Sequence, residues 1–239
     1  MNPTLVLALL RQRFTSPLRL VFLLLLGWMP MIAILMAPRG GFAPLGDCYF
    51  IALTLAAGMI GQDLSSGTLQ LLLARPVTRT QYVLSRWIAV AAGAMAVVLL
   101  QVLLAALIML VRGAPVPWDR AALLLGDDAL VALGAGAVVA LLSSLSAGIG
   151  DLGLLLLVFV SGQVLEKVGM FKSWTWLVLG SEELSRVLKP ELALAGFLPG
   201  GGPAPWLALV SYLSTVTLCL GLAIVVMNRR ELSYASAGN

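Results

Sequence analysis

The sequence predicts an all-α polytopic membrane protein with six transmembrane helices, an N-terminal helix lying in the membrane interface, and a short cytoplasmic helix between spans two and three. Three observations carry that expectation. Of 239 residues, 60% are hydrophobic and only 11% are charged, against about 45–50% and about 25% in soluble domains. The mean hydropathy is +1.01. The apolar residues gather into six runs that approach or reach the roughly 17–25 residues a spanning helix needs, each closed by charges, prolines or glycines. Such a chain cannot be a soluble globular domain, a disordered tail or a nucleic-acid-binding protein.

The elements follow in order. Residues 4–14 read as a helix in the interface plane with Arg11 and Arg13 among the headgroups. Those arginines and Arg19 interrupt the first apolar stretch, and no convincing small-residue cleavage site follows it, which argues against a signal peptide. The first span covers 20–36 and stops at the turn cluster Pro38-Arg39-Gly40-Gly41. The second covers 46–62, with Asp47 at the interface and Asp63 at its end. The third covers 87–111, closed by Arg112 and a loop holding Pro115 and Pro117. The fourth and fifth cover 129–148 and 152–165, and the sixth covers 205–227 and ends at Asn228-Arg229-Arg230. The connection 166–204 is too long for a turn. Trp174 and Trp176 favour the headgroup level, and 182–189 places Leu184, Val187 and Leu188 on one helical face with Glu183 and Arg186 on the other. We read this connection as short helices dipping partway into the outer leaflet; a solvated loop with one surface helix is the alternative.

Charge sets the orientation. With both termini cytoplasmic, Arg11, Arg13, Arg19, Arg75, Arg79, Arg86, Arg229 and Arg230 lie inside, eight of the fifteen Lys and Arg residues, opposed by Asp63, Asp151 and Glu231. Four of the remaining seven (Lys167, Lys172, Arg186 and Lys189) belong to the long connection, leaving a clear inner excess over the short loops.

Chemistry is mostly excluded. There is no histidine, so His-ligated metals and Ser-His or Cys-His catalysis are unavailable. Cys48 and Cys219 lie far apart in apolar runs and read as small core hydrophobes. Gly136, Ala140, Ser144 and Gly148 recur at every fourth position, which permits close helix approach. Asp127 and Asp128 read as a solvated boundary. Gln163 and Glu166 are the only polar groups to consider for a translocation path.

The informative segment lies between spans two and three. Ser66 can cap a short helix over 66–74 with Leu69, Leu72 and Leu73 on one face. Pro76 ends it, and Thr78 can cap a second helix that enters span three. Arg75, Arg79 and Arg86 ring the bend. The leucine face either docks on a partner or packs against the chain's own helix ends or the lipid surface.

This stretch resembles the signature of type-2 ATP-binding-cassette (ABC) transporter permeases: an acidic residue, Gly-Thr-Leu, a leucine run, then Pro-Val-Ser/Thr-Arg and an aromatic residue. Asp63, Gly67, Thr68, Leu69, Leu72, Leu73, Pro76, Val77, Thr78, Arg79 and Tyr82 match; Asp63 replaces the commoner Glu and Arg86 the commoner Lys. The resemblance implies that 66–74 is a coupling helix seated on a separate cytoplasmic ABC ATPase subunit. Asp63, Gly67, Thr68, Leu69, Leu72, Leu73, Arg75, Pro76 and Arg79 would then form the contact, the leucines buried, Arg75 and Arg79 at the rim, and Asp63 with Gly67 as a hinge. The chain has no G-x-x-x-x-G-K-[ST] phosphate loop. No enzymatic activity or cofactor is therefore expected on this chain, ATP and Mg being held by the partner. The resemblance also implies pairing with a second permease copy or paralogue in a bacterial-type cytoplasmic membrane. Outward movement of a cargo is favoured, because the importer-type loop with its Glu-Ala-Ala core is absent, and an amphiphilic cargo suits the scarcity of intramembrane charge. The other reading is a non-transporting subunit that relays ATPase work to an extracytoplasmic accessory protein in a motility or metallocentre-assembly complex. An ion-coupled secondary transporter would leave the leucine face without a role and lacks intramembrane ionisable groups.

Overall fold

The structure is a computed structural model that describes residues 3–36, 47–68, 77–146, 148, 150–197 and 205–229. Its helices are α1 (Pro3–Phe14), α2 (Pro17–Met36), α3 (Cys48–Ala56), α4 (Gly61–Ser65), α5 (Arg79–Val111), α6 (Trp118–Leu145), α7 (Gly150–Lys172), α8 (Thr175–Leu188) and α9 (Trp206–Arg229), with a 3₁₀ turn at Leu194–Phe197. No strand occurs among the described residues. The fold is an all-α, multi-span bundle. Five stretches among the described residues are long and apolar enough to cross a bilayer: Cys48–Ser65, Arg79–Val111, Trp118–Leu145, Gly150–Lys172 and Trp206–Arg229. Six spans were expected; α2 is helical over Pro17–Met36, and its apolar stretch among the described residues is the shorter Arg19–Trp28.

α6 is the central element, packed by α3, α5, α7 and α9. Its small residues explain why: Ala132 and the run from Gly134 to Ala140 are all buried. A Cβ on Gly136 would lie 3.1 Å from Trp87 Cδ1 of α5, and Trp87 Nε1 donates to Leu133 O at 2.8 Å. The absent side chain thus lets an indole lie against the α6 backbone. The four-residue stripe accordingly packs helices at Gly136, Ala140 and Ser144. Gly148 falls past the end of α6, in the turn towards α7, at φ 69°. α3 fills the space between α2, α5 and α6, burying Ile51, Ala52, Leu55 and Ala56, and the turn after it buries Met59 and Ile60. α5 spans 33 residues, about 50 Å at 1.5 Å per residue, so it outruns the roughly 30 Å hydrocarbon layer. The expected Thr78 cap is present as a full capping box: Thr78 Oγ1 accepts from Gln81 N and Gln81 Oε1 accepts from Thr78 N.

The bundle has two ends. Arg13, Arg19, Gly61, Arg79, the turn after Leu145 and the C-terminus of α9 meet at one, the arginine end. Asp47, Asp128, Lys189 and the start of α9 lie towards the other. α7 runs to Lys172 rather than stopping near Leu165, so Glu166 sits within a helix and not at its end. Charge alone does not terminate a helix near the headgroups. α8 then folds back along α7. Trp174 N donates to Gly169 O at 2.8 Å, a Cβ on Gly169 would press on Leu177 and Val178, and Gly162 faces Leu184. The return from the level of Gly169 to that of Gly162 is about 10 Å. Pro190 then packs on Gly134 and Leu194 on Gly126 of α6, carrying the chain outwards again. α8 holds the 182–189 pattern, with Leu188 buried and Glu183 and Arg186 exposed and paired at 2.6 Å.

Candidate functional site

The second passage is not one helix. α3 ends at Ala56, residues 57–60 form a turn, and α4 resumes at Gly61. This is the correction to the expected continuous span 46–62, and Gly58 and Gly61 cause it. Gly58 adopts φ 62°, a left-handed conformation that disfavours other residues. A Cβ on Gly61 would lie 2.5 Å from Gly148 O, so only glycine lets α4 meet the α6–α7 turn, where Gly148 N donates to Gly61 O at 2.8 Å.

A broken helix leaves backbone groups without partners, and buried ones must be satisfied from elsewhere. Four other helices supply them. Arg13 of α1 donates to Ala57 O at 2.8 Å and to Gly58 O at 3.4 Å. Arg19 of α2 donates to Ala57 O at 3.1 Å and to Gln62 Oε1 at 2.9 Å. Ser143 of α6, fully buried, accepts from Ile60 N at 2.9 Å and Gly61 N at 3.0 Å. Asp151, in the first turn of α7, accepts from Gly58 N at 2.7 Å and from Leu152 N at 2.9 Å. Arg13 therefore does not lie among headgroups as the sequence suggested. It is 4% exposed, while Arg11 is exposed. Burial, then the nearby Arg86 and Arg19 charges, pull the Arg13 guanidinium down to about 9, which still leaves it charged at neutral pH.

One turn further on, Asp63 points into the bundle. Its carboxylate accepts from Arg86 Nη2 and from the Tyr82 hydroxyl, and Arg86 Nε donates to the same hydroxyl at 3.3 Å. All three residues are buried, Arg86 to 2% exposure. Asp63 thus faces α5, fixing the base of the segment that follows. Gly67, exposed at φ 71°, and exposed Thr68 lead out of the bundle. The expected coupling helix 66–74 then runs into 69–76, so Leu69, Leu72, Leu73, Arg75 and Pro76 lie outside the described residues. Arg79, just past the Thr78 cap, donates from Nη1 to Met227 O at 2.7 Å and Asn228 O at 3.0 Å. There it satisfies carbonyls at the C-terminus of α9, where a cation is favoured.

At the opposite end, Gln163 is exposed and Glu166 half-buried on α7, a helix exposed along most of its length. Asp127 is no free boundary residue: Oδ1 accepts from Leu194 N at 2.7 Å. Lys189 sits 3.4 Å from Asp47 and 2.7 Å from Glu191. Among the described residues no cluster of three metal-ligating side chains occurs.

The structure thus brings together Asp63, Tyr82 and Arg86, and adds four residues to which sequence reasoning gave no site role: Arg13, Arg19, Ser143 and Asp151. The available signal was Gly58 and Gly61, three apart within an apolar run. Hydrogen bonds and the Asp63 contacts join residues 57–63 to α1, α2, α5, α6 and α7 as one node. A family model described as ABC-2 family transporter protein matches residues 29–174, from within α2 to the start of α8. No curated protein and no solved structure matches the chain.

Proposed function

The chain belongs to the ABC-2 transporter family and is a non-catalytic membrane permease, and on that premise we propose that it carries an amphiphilic cargo outward using ATP hydrolysed by a separate cytoplasmic ABC ATPase. One observation carries the proposal: the broken second passage is anchored by side chains of α1, α2, α5, α6 and α7, and residues 66–68 leave directly from it. A push on that segment reaches α1, α2, α6 and α7 through hydrogen bonds of 2.7–3.4 Å and α5 through the contacts of Asp63 with Arg86 and Tyr82. Packed, hydrogen-bonded elements of this kind shift between discrete arrangements rather than deform continuously.

In this reading Leu69, Leu72 and Leu73 enter the ATPase cleft, Gly67 and Thr68 form the flexible entry, and Arg75 and Pro76 shape the exit. Arg79 stands at the rim while holding α9. Asp63 serves as the fixed base of the lever. The arginine end faces the cytoplasm of a bacterial-type inner membrane, both termini lie there, and α2 completes six spans. Two copies or paralogues pair, and Gln163 and Glu166, on the open face of α7, stand where a path between them would run. Co-purification of the tagged full chain tests the proposal. A stoichiometric ABC ATPase supports it, and a chain that purifies without one, after gentle extraction and crosslinking, contradicts it.

A further inference from the structure

Beside the node, Ser16, Arg19, Phe22, Thr54, Ala57, Gln62 and Leu152 line a cleft of about 260 Å³ between α2, α3 and α7. Its walls are mostly apolar, and its one charged residue is Arg19. That charge has no carboxylate contact: among the described residues neither Arg19 nor Arg13 lies within ion-pair distance of an acid. Arg19 bonds only through Nη2, to a carbonyl and an amide oxygen. The nearby acids are occupied, Asp63 by Arg86 and Tyr82 and Asp151 by two backbone N–H groups. Among the described residues, three arginines (Arg13, Arg19 and Arg86) thus face two carboxylates around one broken helix. A poorly compensated cation at a membrane interface attracts an anion, and a basic pocket between spanning helices on the cytoplasmic side fits an anionic lipid headgroup.

We propose that this cleft binds the phosphate of an anionic phospholipid of the inner leaflet, with Arg19 as its counter-ion and Phe22 and Leu152 flanking the chain. The volume suits a phosphate with part of its glycerol and is below that of a drug-sized ligand pocket. Bound there, the lipid completes the charge balance of the node, so that the break in the second passage is held firmly only in an anionic membrane. This site rests on the proposed cytoplasmic orientation of the arginine end but not on the ATPase partnership, and is tested without the partner.

The test is native mass spectrometry of the purified full chain, with any subunits that accompany it, after incubation with phosphatidylglycerol and phosphatidylcholine in detergent. Preferential retention of phosphatidylglycerol is expected, reduced about fivefold in Arg19→Gln. Thr54→Leu keeps the charge and narrows the cleft; it should lower retention with the fold intact, which covers the case where Arg19→Gln unfolds. Arg186→Gln, at the opposite end, should retain the lipid. Equal retention of both lipids, no change in Thr54→Leu, or equal loss in Arg186→Gln overturns the proposal. So does inorganic phosphate that binds the chain and displaces the lipid, since the site would then serve a free anion.

Discussion

Replacing Asp63 by Asn isolates the contribution of the buried pair at the base of the lever. Asp63 is 5% exposed and Arg86 2% exposed, and the carboxylate receives both the Arg86 guanidinium and the Tyr82 hydroxyl. Asn keeps the shape and one acceptor but removes the charge, stranding a guanidinium in a low-dielectric interior. Breaking a buried pair from one side costs about 3–5 kcal/mol, a large share of the roughly 5–15 kcal/mol that holds a typical domain. Arg86→Leu strands the carboxylate instead and should cost a similar amount. Asp63→Leu with Arg86→Leu removes both charges together, and apolar replacement of a whole buried pair is often close to neutral. The double variant should therefore be no less stable than either single one, which makes the coupling energy between the sites at least about 3 kcal/mol. Denaturant unfolding of the detergent-solubilised chain, alongside size-exclusion profiles, reads the four corners of the cycle, namely the natural chain, Asp63→Leu, Arg86→Leu and the double variant. Additivity of the single effects to within about 0.5 kcal/mol would refute the argument that the two residues act as one unit.

Other expected outcomes follow from the same node. Ser143→Ala leaves Ile60 N and Gly61 N without their acceptor, and each buried orphan group costs about 1–3 kcal/mol, so unfolding should shift by at least the lower figure; no shift would mean the turn finds other partners. Gly61→Ala sets a Cβ 2.5 Å from Gly148 O and should lower stability by about 1–3 kcal/mol through overpacking, whereas an unchanged unfolding midpoint would contradict the close approach of α4 to the α6–α7 turn. Single cysteines at positions 3 and 236 should resist an impermeant thiol reagent in intact cells and react after permeabilisation, against a low background because Cys48 and Cys219 are buried; labelling of either in intact cells would reverse the orientation.

What the sequence made legible depended on how far each signal reaches along the chain. Hydropathy is a property of long runs, so apolar helices lie where spans three, four and six were expected, but it does not set helix ends: α5 begins at Arg79 rather than 87, and α6 covers Trp118–Leu145 rather than 129–148. The Thr78 cap is local enough to read from the residue itself. The node is different in kind. Arg13, Arg19, Ser143 and Asp151 converge on residues 57–61 from separations of 38 to 93 positions, and no local pattern encodes such a meeting. Ordinary rules misplace them: arginines beside an apolar run read as headgroup ligands, and Asp151 as part of an inner loop. The Asp63, Tyr82 and Arg86 triad was visible as motif letters, though its inward direction was not. At the opposite end, the helical face of 182–189 was legible, but its return along α7 depended on Gly162 and Gly169, whose missing side chains matter only against α8.

In the proposed function, the leucine face of 66–74 transmits ATPase work to this node. Leu72→Asp tests it most directly, by co-purification of the complex and by its ATPase activity. Burying an unpaired carboxylate in an apolar contact costs several kcal/mol, whereas a charge on a solvated helix face changes stability by about 0.5 kcal/mol or less. Leu72→Asp should release the ATPase subunit while the permease keeps its size-exclusion profile and its unfolding midpoint. An intact complex with full ATPase activity in Leu72→Asp would contradict the proposed function.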